Sequence, residues 1–441
     1  MNDRYLNTNE CIIYELIQRR EEGLDVGVLE TRWKEIQNAY HKEDAEQLLS
    51  ELEAMNSPKD LRENEPSNLE DILGEKNNDS NNVSFKNDFL NDRILGGWLG
   101  RAAGCMLGKP VEKHPRKKIR EILQSNNTWP LSNYITAKDI PDEVKSTFSW
   151  NRHSGIDSLR ENIVCMAEDD DMNYPMLNLK VVESYGLNFT TENIGTTWLE
   201  LMPIMSTFTA ERNAYYNLLS GYFPPETATK RNPYREWIGA QIRADLWGWL
   251  SPGNPKRAVE LGWRDGRLSH VRNGLYGELF FAAVISNSFT SDTPKEALQK
   301  AVLFIPEKSR FADAIHFAMG LEKKTDNWEI ALDLLQEKYG HYHWVHTINN
   351  AALVTASLIF GNGDYEKSIC NVVMGGWDTD SNGATVGSIV GTMLGAENLP
   401  KKWIEPINNQ IRSSMKGFDR SKFTDLAKRT VRQINLQGRK K

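Results

Sequence analysis

Apolar residues recur at intervals of three and four along most of the chain, the spacing of one buried helical face. The stretches Glu236–Trp249, Asn254–Leu261, Leu275–Ser286, Pro294–Phe304, Asn327–Tyr339, Ile348–Phe360 and Tyr365–Met374 all read as helices. No alternating strand pattern of any length appears, so the expected fold is all-α, a compact orthogonal multi-helix domain. The first sixty residues carry three shorter amphipathic segments, Cys11–Ile17 stopped by Gly23, Val28–Tyr40 and Glu43–Met55. They predict a small helical accessory or docking module (1–60) with no catalytic residue standing out. Residues 61–88 are rich in Asn, Asp, Ser and Lys, a composition that favours a solvated linker. The main domain is expected over 89–435.

Two helices break the ordinary pattern. Glycines fall at 96, 100, 104 and 108, and again at 383, 387, 391 and 395, so each set lines one helical face. A glycine inside a helix costs roughly 1 kcal/mol against alanine, which makes a solvated glycine face a poor design. Such faces make sense where another backbone packs very close. The two helices are therefore expected to pack on each other, joining the two ends of the domain.

Carboxylates cluster at the ends of these segments. Gly375-Gly376-Trp377-Asp378-Thr379-Asp380-Ser381-Asn382-Gly383 leads into the late glycine helix, with Ser381 or Asn382 as candidate N-caps. Hard oxygens held at a rigid helix mouth suit Mg²⁺, Mn²⁺ or Ca²⁺; the competing reading is acidic capping of the helix dipole. An EF-hand is set aside because its closing Glu would fall on Ile389. A second cluster, Glu168-Asp169-Asp170-Asp171, precedes Pro175, which fits the first position of a further helix. Adjacent acids repel in a compact fold, and two such clusters together favour a shared oxygen-ligand metal site. Glu112, four residues past Gly108, reads by itself as a solvated loop residue. Ser269-His270-Val271-Arg272-Asn273-Gly274 is a polar junction that reads either as a capped turn or as a set of donors to a ligand. His341, His343 and His346 are not expected to converge on zinc, since no Cys or fourth His has ligand-like spacing. Asn349 and Asn350 are polar in an apolar helix and need partners if buried.

Composition narrows the field. The chain has 441 residues, 39% hydrophobic and 26% charged, which is ordinary for a globular protein. A net charge of −7 and a pI near 5.8, with no basic stripe before the last few residues, argue against nucleic acid as a partner. Four scattered cysteines, Cys11, Cys105, Cys165 and Cys370, predict free thiols and a cytoplasmic setting. No apolar run suits a signal peptide or a membrane span. Thirteen tryptophans fit either a core or a pocket for a flat ligand.

Taken in order, these motifs resemble the ADP-ribosylglycohydrolase family over residues 90 to 430. Gly104-Cys105-Met106-Leu107-Gly108-Lys109-Pro110-Val111-Glu112 matches the family's glycine-rich helix and Gly-x-x-x-Glu loop. Gly375-Gly376-Trp377-Asp378-Thr379-Asp380-Ser381 matches its Gly-Gly-Asp-x-Asp-Thr element, and Ser269-His270 its Thr/Ser-His element. Glu168–Asp171 matches the Thr-Asp-Asp-Thr turn in part, with an acid in place of the first Thr. The Gly-Asn-Gly-x-x-Met-Arg stretch that contacts ADP-ribose is not recognisable around Asn193–Pro203.

The resemblance implies an all-α fold with one or two Mg²⁺ or Mn²⁺ ions. Asp169, Asp170, Asp171, Asp378, Asp380 and Ser381 would be metal ligands, and Glu112 and Asp170 the catalytic carboxylates. Ser269, His270, Asn273, Gly274, Gly376 and Trp377 would contact substrate. The activity implied is hydrolysis of the glycosidic bond at the ribose anomeric carbon of an ADP-ribosylated protein or a small ADP-ribosyl compound. The alternatives are a hydrolase of free nucleosides or related ribosyl compounds, and a non-catalytic ADP-ribose or nucleotide binding module.

Overall fold

The computed structural model describes residues 4–39, 42–74, 83 and 85–438. Helices dominate throughout, and among the described residues the β-pairing is limited to a short antiparallel ladder of Gln410–Ile411 with Ser421–Lys422 and isolated bridges of Met166 with Ile411 and Trp237 with His346. The fold is therefore all-α, as the periodicity predicts.

At its centre lie the two glycine helices, Asn87–Gly108 and Thr379–Leu394. They run antiparallel with glycine facing glycine. A methyl group added at Gly96, Gly100 or Gly104 would overlap the carbonyl oxygen of Gly391, Gly387 or Gly383. The converse holds at each of those three partners, and at Gly108 the obstacle is the Thr379 carbonyl. Backbone thus replaces side chain along the whole seam, which is the close approach that offsets the poor helix propensity of glycine. Around this pair a single apolar core extends through the helices Asp170–Tyr185, Arg272–Asn287 and Thr347–Gly361.

The N-terminal segments form helices Thr8–Glu21, Gly27–Ala39 and Lys42–Ala54, with a small apolar core of their own around Leu16, Trp33, Leu48 and Leu52. Part of the stretch read as solvated linker is structured: Lys59–Asn64 and Leu69–Leu73 are helical. Between them, Glu65 is buried and accepts hydrogen bonds from Arg310 and from Asn273 at 2.7 Å. Trp263 and Arg272 also bond to Ser67, and Ile72 packs into the main core, long-range contacts that composition does not register. Residues 75–82 and 84 of that stretch lie outside the described residues.

Candidate metal and catalytic site

Three helix ends meet at one cavity. The first glycine helix stops at Gly108 and passes through a tight turn, Lys109–Val111, to Glu112. Glu112 is only 7% exposed, so it is not the solvated loop residue that its type alone predicts. Its carboxylate accepts a hydrogen bond from the Asn151 amide. The second glycine helix begins one residue after Asp378, which serves as its N-cap residue. The cap is thus earlier than Ser381 or Asn382, and Asp380 and Ser381 lie inside the first turn. The chain reaches Asp378 through left-handed backbone at Gly376 and Trp377, φ +82° and +59°, a conformation uncommon for a residue such as Trp. Asn350 holds that turn: its Oδ1 accepts from the Asp378 backbone N–H at 3.2 Å and the Asn382 side chain at 2.7 Å. This answers the expectation that Asn350 needs partners.

The acidic turn also starts its helix earlier than Pro175 suggests. Asp169 is the N-cap, its side chain accepting from the Asp171 N–H at 2.9 Å, and the helix runs from Asp170. Pro175 sits within it and has no N–H to offer the Asp171 carbonyl. That carbonyl is satisfied instead by the buried Arg101 guanidinium, from Nε at 3.0 Å and Nη2 at 2.7 Å. Arg101 also pairs with the Asp171 carboxylate at 3.3 Å and with Asp245 at 2.7 Å. Ser381 donates its hydroxyl to Asp171 at 3.1 Å, tying the two acidic segments together.

Oxygen atoms of Glu112, Asp378 and Asp380 lie within 4.8 Å of one another. All three residues are buried, and Asp380 Oδ1 has no hydrogen-bond partner. This hard-oxygen set, with an unsatisfied buried carboxylate oxygen in it, fits a Mg²⁺- or Mn²⁺-class cation. A second grouping of Cys105, Asp169 and Asp171 is equally compact but fits poorly. Burial pushes the Cys105 thiol well up, and the two acids already face Lys109 and Arg101.

Lys109 is the residue that sequence reasoning missed. Its buried ammonium donates to Asp380 Oδ2 at 2.6 Å, pairs with Asp169, and lies 3.4 Å from Glu112. Those acids hold its pKa well up against the opposing effect of burial. Burial raises the Asp378 carboxyl well above the usual range, reinforced by Asp380 and Glu112, whereas at Asp380 burial is overcome by Lys109 together with hydrogen bonds from Asp378 and Glu112, which lower it. Charge is therefore only partly balanced by the protein itself.

The cavity is lined by Glu112, Lys109, Asp170, Asp171, Asp378, Asp380 and Ser381, and encloses about 190 Å³. Asp169 is not on its wall. Neither are Ser269, His270, Asn273, Gly274, Gly376 and Trp377. Ser269 Oγ pairs with His270 Nδ1 at 2.8 Å and accepts from Arg243 at 2.9 Å. Asn273 binds Glu65 and Glu236, and a methyl group at Gly274 would press on the Arg235 carbonyl 2.5 Å away. Gly376 faces the backbone of Arg116, while Trp377 packs half-buried on the main core. A further carboxylate on the wall, Glu211, is pushed up to about 7, mainly by burial. Nothing in its neighbourhood of the sequence marks it out.

The model of the family described as ADP-ribosylglycohydrolase matches residues 86–440. None of the curated proteins compared matches this chain. A solved structure described as an ADP-ribosylglycohydrolase-related protein complex is similar at 18% identity, over 79% of this chain and 99% of that one, with a TM-score of 0.49. With the family model covering the greater part of its length, this chain belongs to the ADP-ribosylglycohydrolase family.

Proposed function

We propose that the protein is a divalent-metal-dependent hydrolase of a ribosyl glycosidic bond, acting on an ADP-ribosylated protein or a small ribosyl compound. The single observation that carries this reading is the meeting of Glu112, Asp378 and Asp380 with Asp170 and Asp171 on one cavity wall. These acids come from three separate helix ends. Glu112, Asp378 and Asp380 would hold a Mg²⁺ or Mn²⁺ ion. Bound there, such an ion supplies positive charge beside the ribose hydroxyls and the oxygens on which negative charge develops.

The remaining work belongs to the chain. Lys109 pairs with Asp169 and Asp380 and holds them in place. Asp170, half-exposed on the cavity wall, is the member of the acidic turn open to a substrate water. In this reading it takes that water's proton as the oxygen attacks the anomeric carbon. Glu112, oriented by Asn151, is the second carboxylate at the reacting sugar. The acidic surroundings favour the positive charge that an anomeric carbon gathers as its leaving group departs. A cavity volume of about 190 Å³ is below the ~300–1,000 Å³ common for drug-sized ligands. That favours the smaller end of the substrate class, a free nucleoside or related ribosyl compound.

The test is product release from a panel of ADP-ribosylated protein, small ADP-ribosyl compounds and nucleosides, with Mg²⁺, Mn²⁺ or EDTA. The expected result is metal-dependent hydrolysis that falls at least a hundredfold in Asp378→Ala and Asp380→Ala. Unchanged turnover in those variants contradicts the proposal. Tight binding without product in the wild type assigns the protein to the non-catalytic binding modules instead.

A further inference from the structure

The cavity is not built by the family-matched residues alone. Arg4, Tyr5 and Tyr14, all from the N-terminal module, line the same wall as the acids. Tyr14 meets Trp237 edge-on at 5.2 Å, Tyr234 at 5.3 Å and His343 edge-on at 5.6 Å. His343 in turn stacks on Trp237, 4.3 Å apart and 9° from parallel. Tyr5 packs edge-on to Tyr234, and the exposed Arg4 guanidinium sits 5.2 Å from the Tyr5 ring. Tyr234, Trp237, Tyr5 and Tyr14 form a small apolar cluster separate from both the main core and the module's own core.

The module is held firmly in that position. Arg235 grips both oxygens of Glu15, at 2.6 and 2.9 Å. Gln18 donates to Glu236 at 2.8 Å, Arg272 joins Glu22 to Glu236, and Arg310 donates to the Glu21 carbonyl at 2.9 Å. These groups are mostly buried, and breaking one partner of such a network is strongly disfavoured. An aromatic box with a cationic mouth suits a flat heteroaromatic ring, through stacking and edge contacts, and an anionic group beside it.

We infer that the N-terminal module completes the substrate pocket, with Tyr5 and Tyr14 forming a specificity subsite for the planar ring of a small free riboside and Arg4 standing beside it for an anionic group. This rests on the ribosyl-hydrolase reading and narrows it: a pocket closed in this way takes a nucleoside or nucleotide and turns away ribosylated protein.

The experiment uses the full chain, wild type and the variants Tyr14→Ala, Tyr14→Phe and Arg4→Ala, each checked for folding by thermal melting. The probes are adenosine, adenosine 5′-monophosphate and an ADP-ribosylated protein. Turnover is measured as kcat and KM, and adenosine binding separately by calorimetry. In Tyr14→Ala, KM and Kd for adenosine are expected to rise about tenfold with kcat changed less than threefold, while Tyr14→Phe restores them. Arg4→Ala is expected to weaken only the phosphorylated probe. Ribosylated protein is expected to be a poor substrate. Unchanged adenosine affinity in Tyr14→Ala, no adenosine binding by the wild type, or ribosylated protein cleaved as well as adenosine overturns the inference. If the wild type binds adenosine but hydrolyses nothing, a tenfold loss in Tyr14→Ala upholds the subsite while the hydrolase reading falls.

Discussion

A lysine in the middle of an acid cluster is where the chemistry of this site is decided. Lys109 faces Asp169, Asp380 and Glu112 from a buried position. It supplies one positive charge where several carboxylates converge. Removing one partner of a buried charge pair typically costs about 3–5 kcal/mol, because the charge left behind is uncompensated. Lys109→Met is therefore expected to lose about that much stability in EDTA. Part of it is expected to return in millimolar Mn²⁺, whose charge stands in for the ammonium. Urea unfolding with and without metal checks this, and equal stability of variant and wild type in EDTA contradicts it. Lys109 was hidden in the sequence for a plain reason. It falls inside Gly108-Lys109-Pro110-Val111-Glu112, where a lone Lys in a turn reads as a solvated side chain. Only the fold brings acids from residues 169 and 380 to it. Arg101 was hidden likewise, one charge on a helix face shared with Ile94, Gly97, Trp98, Gly104 and Cys105.

The glycine helices show the reverse case, an element whose partner was legible. Glycines at i,i+4 spacing are costly unless a backbone fills the space, and two such faces in one chain point to each other. The structure pairs Gly96, Gly100 and Gly104 with Gly391, Gly387 and Gly383. Gly104→Ala gains up to about 1 kcal/mol of helix propensity but forces a methyl group against the Gly383 carbonyl. Overpacking of this kind costs about 1–3 kcal/mol and sometimes more. Obstruction by backbone rather than by a flexible side chain puts Gly104→Ala at the upper end. Gly320→Ala, where nothing lies within 4 Å, is expected to be neutral or slightly stabilising. A melting comparison of the two variants decides; similar Tm values would contradict the seam. The helix starts were less legible. Pro175 signals a first-turn position, yet Arg101 satisfies the carbonyl that the proline cannot, and the helix begins with the acids themselves. Long-range compensation of that sort leaves no local trace.

At the scale of the molecule, the N-terminal helices and the family-matched residues are joined by buried charge, and that junction is expected to respond to pH. Burial, then the neighbouring Glu236, pushes Glu21 up to about 8, against the pull of Arg310. A carboxyl raised in the folded state binds its proton more tightly there than in the unfolded chain. Stability is therefore lost as pH rises from about 4.5 towards about 8. Glu22 is lowered to about 2 by Arg235 and Arg272 despite burial. Its contribution is present above about 4.5 and fades as pH falls towards about 2. Glu21→Gln is expected to flatten the decline between pH 5 and 8; an unchanged profile of unfolding free energy against pH contradicts the assignment. Sequence periodicity predicts the helices of the module, and the acidic motifs point to segments that line one cavity, with Asp169 off its wall. What it could not show is that Arg4, Tyr5 and Tyr14 reach the cavity. Featureless amphipathic helices carry no sign of which surface they will cover. Ser269, His270, Asn273 and Gly274 illustrate the same limit from the other side. A polar junction satisfied within the core reads like one that faces a ligand.

The account turns on Glu112, Asp378 and Asp380 forming one cation site from distant parts of the chain. Titration of Mn²⁺ into the chelator-treated full-length protein, followed by the loss of the free-ion EPR signal, measures this directly. The account predicts saturable binding in the wild type that disappears in Asp378→Ala and in Asp380→Ala. No saturable binding in the wild type, or binding undiminished in both variants, would contradict it.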